Sequence, residues 1–478
     1  MYADGIAPQT QTTYKNTTKY RKEGKVFYGS NLEVELSATD ATSGIETTYY
    51  SINGAPYQPY TSNLSLNEEQ DYQLSFYSVD HVGNSEETEQ HLFTIDKTAP
   101  NINWKLTGDV SGKTASGRSS IELLAMDALT GVKRIQYQID DHLAKTYTKP
   151  IDLGLVSNGE HRFKFWAEDF VGNTSNPNTG MDNGLDVYAF IVDDVAPTAS
   201  ALVKNDQYIG KYLYVSPRSR CELDGEDDLL GVNKILYSFN HQKLDAQYES
   251  PLPFEDTKGL QAIFYQSWDM VANKSAIEKL VVYMDNEAPQ TGIDFKGPQF
   301  FTRDTLFINQ TTHVKLFSKD EESGIKQTSY KVDENAIVSG NSFRIPGDGL
   351  HQITFYSVDN VNNQEQHKES EVVVDNKGPK VYINFSIKPI RTETHENEVI
   401  EVYPPFVKMY IGATDEQCGT KSIHYSIDSG TPKNYTSSGS PADVELFQEE
   451  KLYSVVVEAT DKLGNSSQKP ITFRIAKK

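Results

Sequence analysis

Polar and apolar residues alternate with a period of two over short stretches along the whole chain. In NLEVELSATD, Leu32, Val34 and Leu36 fall on one side and polar residues on the other. Tyr72, Leu74, Phe76 and Ser78 share a face of YQLSFYSVD, and TYYSING and HLFTID supply two more such segments before residue 97. Successive side chains of a strand point to opposite faces, so each stretch predicts a half-buried β-strand. Tyr, Phe, Val, Ile and Thr dominate these stretches and suit a pleated surface. No apolar stripe at helical spacing runs for ten residues anywhere. About seven short strands in some 95 residues, with turns about every 8–12, predict an antiparallel β-sandwich.

The punctuation between strands recurs five times. Asp-x-x-x-Gly appears as Asp40/Gly44, Asp127/Gly131, Asp227/Gly231, Asp320/Gly324 and Asp415/Gly419. A tyrosine follows each glycine by six residues: Tyr50, Tyr137, Tyr237, Tyr330 and Tyr425. Asp-x-x-x-Asn then appears as Asp80/Asn84, Asp169/Asn173, Asp269/Asn273, Asp359/Asn363 and Asp461/Asn465. A third signature, Asp-x-x-x-Pro, separates the copies at Asp96/Pro100, Asp193/Pro197, Asp285/Pro289 and Asp375/Pro379, with Asp4/Pro8 at the start. The prolines are 92, 97, 92 and 90 residues apart. This period predicts an all-β array of five tandem antiparallel modules at 1–97, 98–194, 195–286, 287–376 and 377–478, elongated and on the order of 150–200 Å long. The glycine of the first signature is kept in every copy, which predicts a positive φ there. Its counterpart in the second loop varies (Gly83, Gly172, Ala272, Asn362, Gly464), which predicts a less constrained loop.

SATDATSGIETTYYSING, SFYSVDHVGNSE and TIDKTAP together resemble the bacterial immunoglobulin-like tandem repeats of envelope proteins and large adhesins. The spirochaete outer-membrane-protein repeat is the most similar in motif. The resemblance spans all five copies and implies immunoglobulin-like sandwiches serving as surface stalks, adhesion modules and spacers. Ala272, Asn362 and Cys418 depart from the pattern.

The net charge of −22 supplies no basic stripe for nucleic acid and no polybasic grip on anionic membrane. No apolar run reaches the roughly 20 residues that span a bilayer as a helix. The first ten residues, MYADGIAPQT, lack a secretory hydrophobic region; the linker signature among them implies a start at a module boundary with something upstream. Cys221 and Cys418 lie in different modules, so no disulfide framework holds the cores.

The carboxylates carry the most chemistry. In such a sandwich the loops after the second strand and before the last strand lie at the end where the chain enters. Asp96 should therefore meet Asp127 and Asp169. Asp193 should meet Asp227 and Asp269; Asp285 should meet Asp320 and Asp359; Asp375 should meet Asp415 and Asp461. Clustered carboxylates repel unless a cation neutralises them, and calcium, a hard ion with six to eight oxygen ligands, is the expected structural cofactor. Asn side chains and loop carbonyls would complete its shell. A second reading stands beside it: each Asp caps a turn by accepting backbone N–H groups. At the end of the chain Ala476 replaces the linker Asp, as expected of a module that needs no clamp.

Enzymatic signals are weak. The histidines are scattered, His161 and His351 read as ordinary strand positions, and GDVSGKT is one residue short of a phosphate loop. The repeated tyrosines are expected in cores, while Tyr57, Tyr60, Tyr147 and Tyr435 are candidates for stacking on sugars or proteins. Partner contacts are expected at the insertion NPNTGMDNG and at the excursions 390–405 and 437–450. The sequence thus points to a non-catalytic, extracellular or cell-surface spacer and adhesion protein that binds a protein or glycan ligand. Two alternatives are a scaffold subunit of an envelope secretion or motility complex, periplasmic in place, and a binding array accessory to an upstream domain.

Overall fold

The computed structural model describes residues 3–175, 188–436, 440–442 and 447–478. In the first repeat the alternating segments become strands β1 (Gln9–Lys15), β2 (Lys19–Lys22), β3 (Lys25–Tyr28), β4 (Leu32–Thr39), β5 (Ile45–Ile52), β6 (Gln58–Pro59), β7 (Leu64–Leu66), β8 (Asp71–Asp80) and β9 (Glu89–Ile95). They form two sheets, ordered β1-β4-β7 and β2-β3-β9-β8-β5-β6. Neighbours are antiparallel except β3, which runs parallel to β9 through Phe27↔Thr94 and Tyr28↔Ile95. An opening segment that gives β1 to one sheet and the β2–β3 hairpin to the other, with a last strand flanked by β3 and β8, is the arrangement of an immunoglobulin-like sandwich.

The period-two pattern fixes which faces meet. Leu32, Val34 and Leu36 from one sheet pack against Tyr72, Leu74, Phe76, Phe93 and Ile95 from the other. Tyr50, Tyr137, Tyr330 and Tyr425 pack on the cores of their repeats. So do Tyr60, Tyr147 and Tyr435, which are partly buried there; Tyr57 is the exposed one of the four stacking candidates.

The same pair of sheets recurs. In the second repeat the orders are Asn101–Thr107, Ser120–Met126, Ile151–Asp152 and Val110–Ser111, Thr114–Ala115, Tyr188–Val192, Gly159–Asp169, Val132–Ile139, Lys145–Thr146. The GDVSGKT run is the small hairpin between the first two strands of that larger sheet. The 390–405 excursion is its counterpart in the fifth repeat, lengthened into the hairpin Arg391–His395/Glu398–Tyr403. The NPNTGMDNG insertion and much of 437–450 lie outside the described residues.

The chain divides into two compact units, Met1–Ser200 with Leu223–Glu249 and Phe264–Lys279, and Ala201–Glu222 with Ser250–Ile263 and Leu280–Lys478. The division passes through the third repeat. The first unit carries that repeat's hairpin of Val232–Phe239 with Ala246–Gln247. The second carries its Gln207–Ile209/Leu213–Val215 hairpin, running parallel to the following strand at Tyr214↔Tyr283.

Candidate cation clusters at the repeat junctions

Each Asp-x-x-x-Gly is a tight turn, and in the first, second, fourth and fifth repeats a β-bulge follows it. Asp127 Oδ1 accepts the N–H groups of Leu129 (3.2 Å) and Gly131 (2.6 Å). Asp40, Asp227, Asp320 and Asp415 cap their turns in the same way. The glycines have φ between 73 and 90°, as their presence in every copy implied. The register slips just beyond, for example between Ile45 and Thr47 and between Val132 and Arg134.

The second loop is built around a buried Asp that spends both oxygens. Asp169 Oδ1 accepts from Val171 and Asn173 N–H, and its Oδ2 accepts from the Asn173 amide at 2.7 Å. That amide also donates to the backbone carbonyl of the linker aspartate, Asn173 to Asp96 at 2.8 Å. The contact repeats as Asn273 to Asp193, Asn363 to Asp285 and Asn465 to Asp375, at 2.8, 2.9 and 2.8 Å. The asparagine amide is thus a joint between repeats, and its nitrogen is committed. Where the sequence suggested a relaxed loop, the backbone keeps one shape: Ala272 and Asn362 take φ of 62 and 64° beside glycines at 90–96°. The asparagine bonds hold the turn whatever residue fills it.

These loops bring the linker aspartate onto the other two. Asp96, Asp127 and Asp169 present oxygens within 4.8 Å of one another, as do Asp193, Asp227 and Asp269, and Asp4, Asp40 and Asp80. Two sets differ from the expected residues. Glu322 joins Asp285 and Asp320 in the fourth repeat, and Asp359, outside that set, still feels both aspartate charges. In the fifth repeat Cys418 stands with Asp375 and Asp461, and Asp415 does not share the cluster. Asp415 keeps its turn-capping bonds, while Cys418, at the place of Ser43 and Ser323, points its thiol inward.

Burial and repulsion show in the titration of these groups. Burial pushes Asp359 up to about 6, with Asp285 and Asp320 adding to the rise against the bonds from Asn363. Burial also raises Asp96, to which Asp127 and Asp169 add, and Asp193, to which Asp227 and Asp269 add. Asp320 rises for the same reasons. Asp40 instead sits below the usual range, held by N–H bonds from Thr42, Gly44 and Ser43. Burial pushes the Cys418 thiol up to about 12, and its hydrogen bond with Asp375 adds to that.

Turn capping and clustering therefore coexist: one oxygen of the first Asp holds its turn and the other faces the cluster. Asp40 Oδ2, Asp127 Oδ2, Asp193 Oδ2 and Asp227 Oδ1 are buried atoms with no hydrogen-bond partner. An unpartnered buried acceptor costs free energy, and a hard cation with oxygen ligands relieves it. The oxygen-only sets fit calcium. The set containing Cys418 does not, because sulfur is a soft ligand and a poor one for a hard ion.

A second layer of contacts was not visible in the sequence. The turn before the fourth strand, or the hairpin ahead of it, reaches the next repeat. Lys22 Nζ donates to the Leu129 carbonyl (2.8 Å) and Tyr20 stacks on Phe170 (4.3 Å between centroids). Arg118 donates to the Val271 carbonyl and Asn273 Oδ1, and Arg218 to the Val361 carbonyl and Asn363 Oδ1. In the last pair Phe307 packs with Cys418 and Leu463, and Lys462 lies over the Phe300 ring. Val171, Val271, Val361 and Leu463 are buried under these straps, while their counterpart Val82 is 60% exposed. An arginine at matched places in two copies is the signal that would have found them.

His161 and His351 are not free either. Each ring faces a carboxylate through Nδ1 (Asp140 at 2.8 Å, Asp333 at 2.7 Å) and a backbone carbonyl through Nε2. They tie the turn after the fifth strand of the sandwich to the long strand that follows.

No family model matches the chain, and no curated protein matches it in sequence. Solved structures with some likeness include fibronectin(III)-like modules of Clostridium thermocellum CbhA (15% identity, 38% of this chain and 95% of that one, TM-score 0.24). Others are a 1.5-MDa bacterial ice-binding adhesin (10%, 59% and 100%, 0.27) and the human Desmocollin-1 ectodomain (13%, 94% and 97%, 0.22). At such scores the architecture rests on the strand order given above.

Proposed function

We propose that this chain is a non-catalytic spacer and adhesion protein, placed at a bacterial cell surface or secreted, whose repeat junctions are stiffened by calcium. Its repeats are nearest in motif to those of spirochaete outer-membrane proteins. The observation that carries the reading is the recurrence of one buried carboxylate cluster at equivalent places, with acceptor oxygens left unpartnered. A catalytic site would not be expected in every copy, whereas a joint would. Protein or glycan ligands at the surface are the expected partners.

The test is calorimetric melting of the full chain in chelator and in calcium. An ion that binds only the folded state stabilises it by about 2.7 kcal/mol per site at 100 times its Kd, and extracellular modules bind calcium at roughly 0.1–1 mM. The melting temperature should rise by several degrees in 10 mM calcium. Superimposable melts would refute the calcium clamp.

A further inference from the structure

The clusters differ in one respect that decides which of them needs a cation. In four of the five repeats the residue before the turn glycine donates its N–H to the linker carboxylate: Ser43 to Asp4, Thr130 to Asp96, Ser323 to Asp285 and Cys418 to Asp375, at 2.9–3.3 Å. In the third repeat that residue is Leu230, and its N–H turns to Asp227 Oδ2 at 2.9 Å instead. Asp193 is wholly buried, yet its Oδ2 has no donor. Asp227 Oδ1 in the same cluster has none either. Two carboxylate oxygens therefore face each other's charge without a protein partner. The Arg118 guanidinium nearby is engaged with Asp109, Val271 and Asn273.

The last cluster is the opposite case. Asp375 takes the N–H groups of Lys377 and Cys418, Asp461 takes those of Leu463 and Asn465 with the Asn465 amide, and Cys418 puts a buried sulfur where the other repeats have a carboxylate. Among the described residues none of its side-chain oxygens is left without a partner. Phe307 and Leu463 pack against the thiol and close the site with apolar surface. The cluster of Asp285 lies between the extremes, because Lys258 is paired with Glu322 and Glu287 beside it.

We infer that the junction cations are unequal: the Asp193–Asp227–Asp269 cluster is the tightest divalent site of the chain, and the Asp375–Cys418–Asp461 cluster is closed by protein alone and takes none. The inference rests on the calcium reading above for its first half only. Both halves follow from hard-ion chemistry, in which a buried anionic oxygen without a donor is the vacant ligand, whereas oxygens already bonded to protein and a soft sulfur atom are poor ones.

The experiment is calcium titration of the full chain by calorimetry, for the wild type and the variants Asp193→Asn, Asp227→Asn and Asp375→Asn, each also melted in chelator. Asp193→Asn and Asp227→Asn should each remove the tightest class of site, and Asp375→Asn should leave the stoichiometry unchanged. Loss of a site in Asp375→Asn, or retention of the tightest site in both of the others, overturns the assignment. The chelator melts are independent of any ion. There Asp193→Asn and Asp227→Asn should raise the melting temperature by a few degrees, because an amide ends the repulsion, while Asp375→Asn should lower it. If no calcium heat appears at all, the clamp falls but the melts still judge the ranking, and equal destabilisation by all three variants overturns it.

Discussion

Ala272 holds a left-handed backbone (φ 62°) that Gly83, Gly172 and Gly464 supply without strain in the equivalent turns. A Cβ in that region costs roughly 1–2 kcal/mol, and glycine returns part of the gain through the freedom of its unfolded chain. Ala272→Gly should therefore stabilise the protein by about 0.5–1 kcal/mol, read as a rise in the urea midpoint at unchanged slope. Asp359 makes the second prediction. Its folded value of about 6 lies above the ordinary carboxylate range. Below about pH 4 both states are protonated and no penalty exists. As pH rises from about 4 to 6 the unfolded state ionises first, so the fold loses stability, and above 6 the loss is constant. At ~1.4 kcal/mol per unit the loss is on the order of 2–3 kcal/mol. In chelator, the wild type should lose stability across that window while Asp359→Asn, which starts lower for want of the Asn363 amide bond, should not; a difference between them independent of pH would contradict the assignment.

At the level of elements, Gly29 ends the short strand that pairs with the last strand of the first repeat. A Cβ built on it would lie 2.7 Å from the Val171 carbonyl of the next repeat. Gly29→Ala must push the two repeats apart, and a cost of about 1–3 kcal/mol is expected in denaturant unfolding of the full chain. The strands themselves were legible from their alternation: Leu32, Val34, Leu74 and Phe76 are wholly buried on the faces that the pattern assigned. The β2–β3 hairpin was not. Lys19–Tyr28 mixes lysines with aromatics, and one of those aromatics, Tyr20, finds its partner in another repeat, at Phe170. A local pattern does not report a contact made 150 residues away. The carboxylate convergence was legible because three signatures recur together. The replacement of Asp415 by Cys418 was not, since both residues fit the turn and only the direction of the side chain separates them.

For the whole molecule, a net charge of −22 means that part of any calcium effect is general screening. Sodium chloride should raise the melting temperature of the chelated chain gradually, over hundreds of millimolar. Calcium at a few millimolar should do more than sodium chloride of equal ionic strength, and matching curves would mean that no clusters are specifically filled. The asparagine joint has a different consequence. Its amide grips the carbonyl of the linker aspartate, and Lys22, Arg118 and Arg218 likewise grip carbonyls of the following loop. Every residue offers a carbonyl, so the joint asks little of the side chains it meets. A gene segment encoding one such repeat can be duplicated, deleted or moved along the array, and the copy that lands beside it already carries the atom that its neighbour recognises.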